Sequence, residues 1–293
     1  RSLVWLWLGD NQVTDVSGLA AATSLKYLNL GNNAITNVDA LAGLANLESL
    51  HLDWNDIADV RALAALAALE SLSLSDNRIE DASPLWNLDR LRILNLDGNR
   101  LETIAGVEAL DNLETIDLGD NRVSDILPLS KLELVDLDLS ANPVADFSPL
   151  WGMSSLESLT LSRTGFSDLG KVTPLTRLRF LNLVDNGVSD LTPLASMTQL
   201  AGLGLAENQI TDLTPLAGLV QLDYLSLSKN PISDFAPLTG LTKLRNLMLR
   251  QTGLEDLSFL SGLSSLVLLA LGENEIHDVT PLAGLKDLRS VTL

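Results

Sequence analysis

The sequence predicts an α/β repeat array: a curved solenoid with a parallel β-sheet on its concave face and 3-10 or short helical turns on its convex face. Three observations predict it. One 22-residue pattern runs about thirteen times through residues 1–293. The leucines of each copy are spaced by two in its first half and by three in its second. An Asn recurs between the halves, from Asn11 to Asn274. A fixed period overrides the expectation of one or two globular domains for 293 residues, because stacked copies form a single elongated domain.

The first half of a copy is a strand. Counting from the first leucine, positions one, four and six are Leu in almost every copy, as in Leu25, Leu28 and Leu30. Period-two spacing sends alternate side chains inward. Stacking each strand on the next at about 4.8 Å gives a long parallel sheet.

A turn follows at position nine. It is Asn11, Asn33, Asn55, Asn77, Asn99, Asn121, Asn142, Asn186, Asn208, Asn230 and Asn274, with Thr164 and Thr252 in the two gaps. An amide both donates and accepts, so this column is expected to satisfy backbone groups turned into the core. Each Thr precedes a Gly (Gly165, Gly253), which implies a relaxed turn rather than a lost one.

The second half of a copy is a tight helical turn. Positions 11, 14, 17 and 20 are apolar, as in Ile35, Val38, Leu41 and Leu44, and spacing by three suits a 3-10 helix. Position 13 is Asp in eleven copies, from Asp15 to Asp278, where it caps free N–H groups. Those eleven carry more than half of the formal net charge of −19. Position 16 is Pro in seven copies, at the first turn, where the missing N–H is not needed. Trp86 and Trp151 fall at position 18 and are expected to cover the convex side. The step from Asn121 to Asn142 is 21 residues; the deletion lies between Leu132 and Leu134, where a tightened outer turn is expected.

Residues 200–219 read Leu-x-x-Leu-x-Leu-x-x-Asn-x-Ile-x-Asp-Leu-x-Pro-Leu-x-x-Leu. This resembles the 22-residue leucine-rich repeat of bacterial internalins. The phosphatase-regulator repeat proteins share the period, but the segment from Asp212 to Leu216 is closer to the internalin side. The resemblance implies a solenoid that binds a protein, often a host-cell receptor, on its concave sheet. It also implies an extracellular or bacterial cell-surface location. Internalins carry a helical cap before the repeats and an immunoglobulin-like domain after them. Neither is visible here, so the chain is expected to be a fragment without its native caps.

Positions three, five and seven point away from the core, and function is expected there. Three groups stand out. Trp5, Trp7 and Tyr27, with His51 beside them and Trp54 at a strand exit, form an aromatic end. Exposed Trp and Tyr are the residue types of binding hot spots, although a missing cap could cover Trp5 and Trp7. Asp97, Asp117, Asp136 and Asp138 form an acidic centre. It suits a basic patch on a partner, or a weak Ca²⁺ site at Asp117 and Asp138, against the plain alternative of a solvated face. Phe180, Tyr224, Met248 and Arg250 stand among Gly202, Gly204 and Ala206, a flat floor able to accept a protruding loop.

Enzymatic readings find no support. The two histidines, His51 and His277, are ten copies apart. There is no cysteine, no phosphate-binding glycine loop and no zinc spacing, so no cofactor is implied. A net charge of −19 repels nucleic acid and anionic membranes, and no apolar run is long enough to span a bilayer. The expectation is a non-enzymatic, monomeric array that binds a protein. The alternatives are a cytoplasmic scaffold or regulatory subunit, and a structural module of a larger protein. Irregularities among the copies speak against a consensus design.

Overall fold

Positions three to five of each copy form a three-residue strand in the computed structural model, which describes residues 3–293. The chain forms two compact units, Arg1–Leu156 and Glu157–Leu293. The first holds β1 (Trp5–Trp7), β2 (Tyr27–Asn29), β3 (Ser49–His51), β4 (Ser71–Ser73), β5 (Ile93–Asn95), β6 (Thr115–Asp117) and β7 (Asp136–Asp138). They pair in parallel and in chain order, in the register the repeat dictates, with Leu6 opposite Leu28 and Leu28 opposite Leu50. The second holds β8 (Ser158–Thr160), β9 (Phe180–Asn182), β10 (Gly202–Gly204), β11 (Tyr224–Ser226), β12 (Asn246–Met248), β13 (Leu268–Ala270) and β14 (Ser290–Thr292). These are also parallel and sequential. The expected leucine-rich-repeat fold is therefore present in both units.

The leucine columns make each core. Leu30, Leu52 and Leu74 in the first unit, and Leu183, Leu205 and Leu227 in the second, are completely buried. Burial of each stabilises the fold by roughly 2 kcal/mol before entropy is counted.

The asparagine column closes the backbone accounts. Asn77 Nδ2 donates to the carbonyls of Leu52, Leu74 and Ser75, each at 3.0 Å. Its Oδ1 accepts the Ile57 N–H at 3.0 Å, which belongs to the preceding copy. One side chain thus ties two copies together. Where Thr stands instead, Thr164 Oγ1 donates to the Leu161 carbonyl at 2.7 Å. The relaxed turn follows the glycine rather than the threonine. Gly165 and Gly253 have φ of 77° and 71°, but Gly187, after Asn186, also takes 77°.

The aspartate column caps the turns as expected. All eleven accept the backbone N–H two residues on, as Asp212 does from Thr214 at 2.8 Å. Asn37 and Thr103 do so in the two remaining copies. The turns they open are 3-10 throughout.

The 21-residue step departs from expectation. The link opens rather than tightens. Leu132 leaves its 3-10 turn with ψ 149°, whereas Leu88 and Leu110 leave theirs at 74° and 67°. Extended backbone at Leu132 spans the gap with one residue fewer. On the turn side, Trp86 is buried, and a β-carbon on Gly106 would stand 2.8 Å from its Cδ1, while Trp151 is half-buried.

Candidate partner-binding face

Strand alternation leaves positions three and five outside the core, so their side chains line one face of each unit. In the first unit, Trp5 stacks on Tyr27 with ring centroids 3.6 Å apart and planes 14° apart. The Tyr27 O–H donates to Glu48 Oε2 at 3.0 Å, and Glu48 also accepts from Lys26, which fixes the tyrosine. Trp5 is still 56% exposed, and Trp7 75%. Trp54 is also exposed, at a position with φ 53°.

His51 stands beside them on β3. Its Nε2 lies 3.3 Å from Ser49 Oγ and its Nδ1 3.8 Å from Asp53 Oδ2. The order Ser, His, Asp resembles a hydrolase triad, but 3.8 Å exceeds hydrogen-bonding distance. Asp53 Oδ1 is meanwhile taken by the hydroxyls of Ser73 and Ser75. Burial pushes the Asp53 carboxyl up, yet the neighbouring His51 and these hydroxyls outweigh it and hold the group below its ordinary range.

The acidic centre is brought together as expected. Asp117 pairs in register with Asp138, and Thr115 with Asp136. Asp97 Oδ1 and Asp117 Oδ1 lie 2.5 Å and 3.3 Å from where a β-carbon on Gly119 would stand, so both carboxylates converge over that glycine. Burial pushes Asp117 up to about 6; Asp138, Asp97 and Asp136 add to this, against a hydrogen bond from the Gly119 N–H. Asp97 is raised too, by burial and then by Asp76, Asp138 and Asp120. Among the described residues, no three carboxylates or imidazoles are grouped to hold a metal ion.

In the second unit, Phe180 and Tyr224 stand on either side of Gly202 in register, exposed by 50% and 37%. Gly202 and Gly204 are small for a reason: the side chains of Phe180 and Asn182 lie across them. Met248 is half-buried on β12. Arg250 is exposed, but Glu273 Oε1 already meets it at 2.9 Å.

Sequence reasoning missed the row at position eight. That residue is left-handed in every copy, from Asp10 (φ 58°) to Glu273 (φ 61°). It adds Asp10, Asp76 and Asp120 to the rim of the first unit's strand face. The signal was present, since Asp, Asn and Gly fill the position in Asp10, Asn32, Asp76, Gly98, Asp120 and Asp185.

A family model described as leucine rich repeat matches residues 1–57. A second, described as two leucine rich repeat copies, matches residues 67–111, 89–131, 176–218 and 198–240. The solved structure of the internalin inlF from Listeria monocytogenes is 33% identical. The match covers 100% of this chain and 87% of that one, with a TM-score of 0.84. The Leptospira interrogans leucine-rich-repeat protein LIC12759 is 24% identical over 99% of this chain and 84% of its own, with a TM-score of 0.73. The plant peptide hormone receptor RGFR1, solved in complex with RGF2, is 24% identical over 99% and 51%, with a TM-score of 0.71. The last two bear on the fold alone. No curated protein matches.

Proposed function

The chain belongs to the leucine-rich-repeat family and is internalin-like, and from that membership we propose that it recognises a protein partner through its strand face. One observation carries the reading. Large aromatic side chains stand half or more exposed at strand positions that have no core duty, as Trp5, Trp7 and Phe180 do. Trp and Tyr are enriched at binding hot spots, and aromatic side chains bury large areas on contact. The acidic half of the face suits a partner with a basic patch. A bacterial surface or secreted location fits the internalin likeness.

The fold-level role is that of an interaction scaffold. The open face holds no built hydrolytic relay at His51, whose nearest carboxylate oxygen is 3.8 Å away. The test uses peptides selected from a displayed library against the chain. Alanine at Tyr27, Phe180 or Tyr224 is expected to weaken the selected binders by more than about tenfold, the loss of a hot-spot anchor. Trp151→Ala, on the turn side, is expected to leave them unchanged. The reverse pattern would overturn the strand-face reading.

A further inference from the structure

We propose that the strand face of Arg1–Leu156 receives an extended, arginine-rich polypeptide segment, with guanidinium groups seated over its aspartate row and against its exposed indoles. This rests on the strand face being the recognition surface.

Charge is segregated along the chain in a way the fold does not require. At positions three, five, seven and eight, β1 to β7 and their exits carry Asp10, Asp53, Asp76, Asp97, Asp117, Asp120, Asp136 and Asp138, and no Lys or Arg. Most described cations of this unit are paired away from these positions, as Lys26 is with Glu48, Arg78 with Asp56 and Arg92 with Glu114. The corresponding positions in Glu157–Leu293 are balanced, with Asp185, Glu207 and Glu273 against Arg163, Lys229 and Arg250. There, Lys229 meets Glu207 at 2.8 Å and Arg250 meets Glu273 at 2.9 Å.

Architecture needs an oxygen at position five, not a charge. Asp117 and Asp138 accept the N–H of Gly119 and Ser140 at 3.0 Å and 2.7 Å. Asn29 and Asn95 do the same for Gly31 and Asp97, each at 2.9 Å. The fold therefore does not require the negative charge at Asp117, where Asn would serve the backbone equally well.

Arginine suits this face better than lysine. Its planar guanidinium forks onto carboxylates and stacks on aromatic rings. Trp5, Trp7 and Trp54 present exposed indoles within the same unit. The row also sets the length of the occupant. Seven strands at about 4.8 Å span roughly 30 Å, which about nine extended residues cover.

The experiment titrates the full chain with three nine-residue peptides in which serine alternates with arginine, lysine or citrulline. Binding is read by fluorescence anisotropy at low and high salt. The arginine peptide is expected to bind about tenfold tighter than the citrulline one, tighter than the lysine one, and more weakly as salt rises. Asp97→Asn combined with Asp117→Asn is expected to weaken it about tenfold, and Trp7→Ala about threefold, with melting temperatures confirming folded variants. Equal binding of arginine and citrulline peptides, or an unaffected double variant, overturns the proposal. Library-selected binders separate this from the broader reading. If they lack arginine but lose affinity with Phe180→Ala, the strand-face reading stands and this inference fails. If they respond to no strand-face variant, both fail.

Discussion

The ring of Phe180 lies across the backbone of Gly202, so that a β-carbon there would run into Cδ1 and stand 2.8 Å from Cε1. Strand glycine normally weakens a sheet, and Gly→Ala usually stabilises by lowering the entropy of the unfolded chain. Here the added methyl displaces an aromatic ring. Gly202→Ala is expected to destabilise by about 1 kcal/mol in the native background and to be neutral or stabilising when Phe180 is Ala. A double-mutant cycle by urea denaturation measures the coupling. A coupling near zero means that the ring does not depend on the glycine.

Asp117 gives a prediction about pH. Its folded-state value, about 6, lies above the ordinary carboxylate value of 3.8. Such a group favours the folded chain while protonated. That contribution is lost as pH rises from about 4 through about 6. Asp117→Asn keeps the acceptor for Gly119 and removes the charge. Discounted for the partial exposure of the site, it is expected to stabilise by about 1–2 kcal/mol at pH 7.5 and by nothing near pH 4. Denaturant midpoints at the two pH values decide the matter, and a benefit independent of pH would contradict it.

The aspartate caps titrate in the opposite sense. Asp59 is held down at about 2, first by the Arg61 side chain and then by the Arg61 N–H. Asp212 is lowered by Thr214 in the same manner. Groups lowered by folding stabilise above the unfolded value and lose that contribution as pH falls. Asp59→Asn is therefore expected to lower the melting temperature at neutral pH, with the deficit vanishing toward pH 2. A deficit that persists there would show that packing, not charge, is responsible.

The scaffold was legible in the sequence because each of its columns answers one physical demand. Leu30 must be apolar, Asn77 must donate and accept, and Asp212 must cap, so each recurs every 22 residues. The face was legible only as a list. Position in the strand showed that Phe180 and Tyr27 point outward. It did not show that Phe180 leans over Gly202, or that Trp5 stacks on Tyr27 across 22 residues. Nor did leucine spacing reveal the left-handed exits that add Asp76 and Asp120 to the rim. The two ring contacts depend on rotamer choice, which no periodicity encodes, whereas the exits were signalled only by the recurring Asp, Asn and Gly at position eight.

The asparagine column offers the strongest stability test, because its bonds join copies. Asn77 is buried and makes four hydrogen bonds to backbone groups, at Leu52, Leu74, Ser75 and Ile57. Alanine leaves the buried Ile57 N–H without a partner, while the carbonyls of Leu52, Leu74 and Ser75 each lose one bond but keep Asn55, Asn99 and the Trp54 N–H. One orphaned buried N–H costs about 1–3 kcal/mol and the weakened carbonyls add to it, so Asn77→Ala is expected to cost about 3 kcal/mol. Threonine recovers one of these bonds, as Thr164 does toward Leu161. Asn77→Thr is therefore expected to cost less than Asn77→Ala, by about 1 kcal/mol. Hydrogen exchange provides a local check, because the Ile57 amide should lose protection in both variants while amides of the second unit keep theirs. If Asn77→Ala unfolds at the native denaturant midpoint, the column is not what binds one copy to the next.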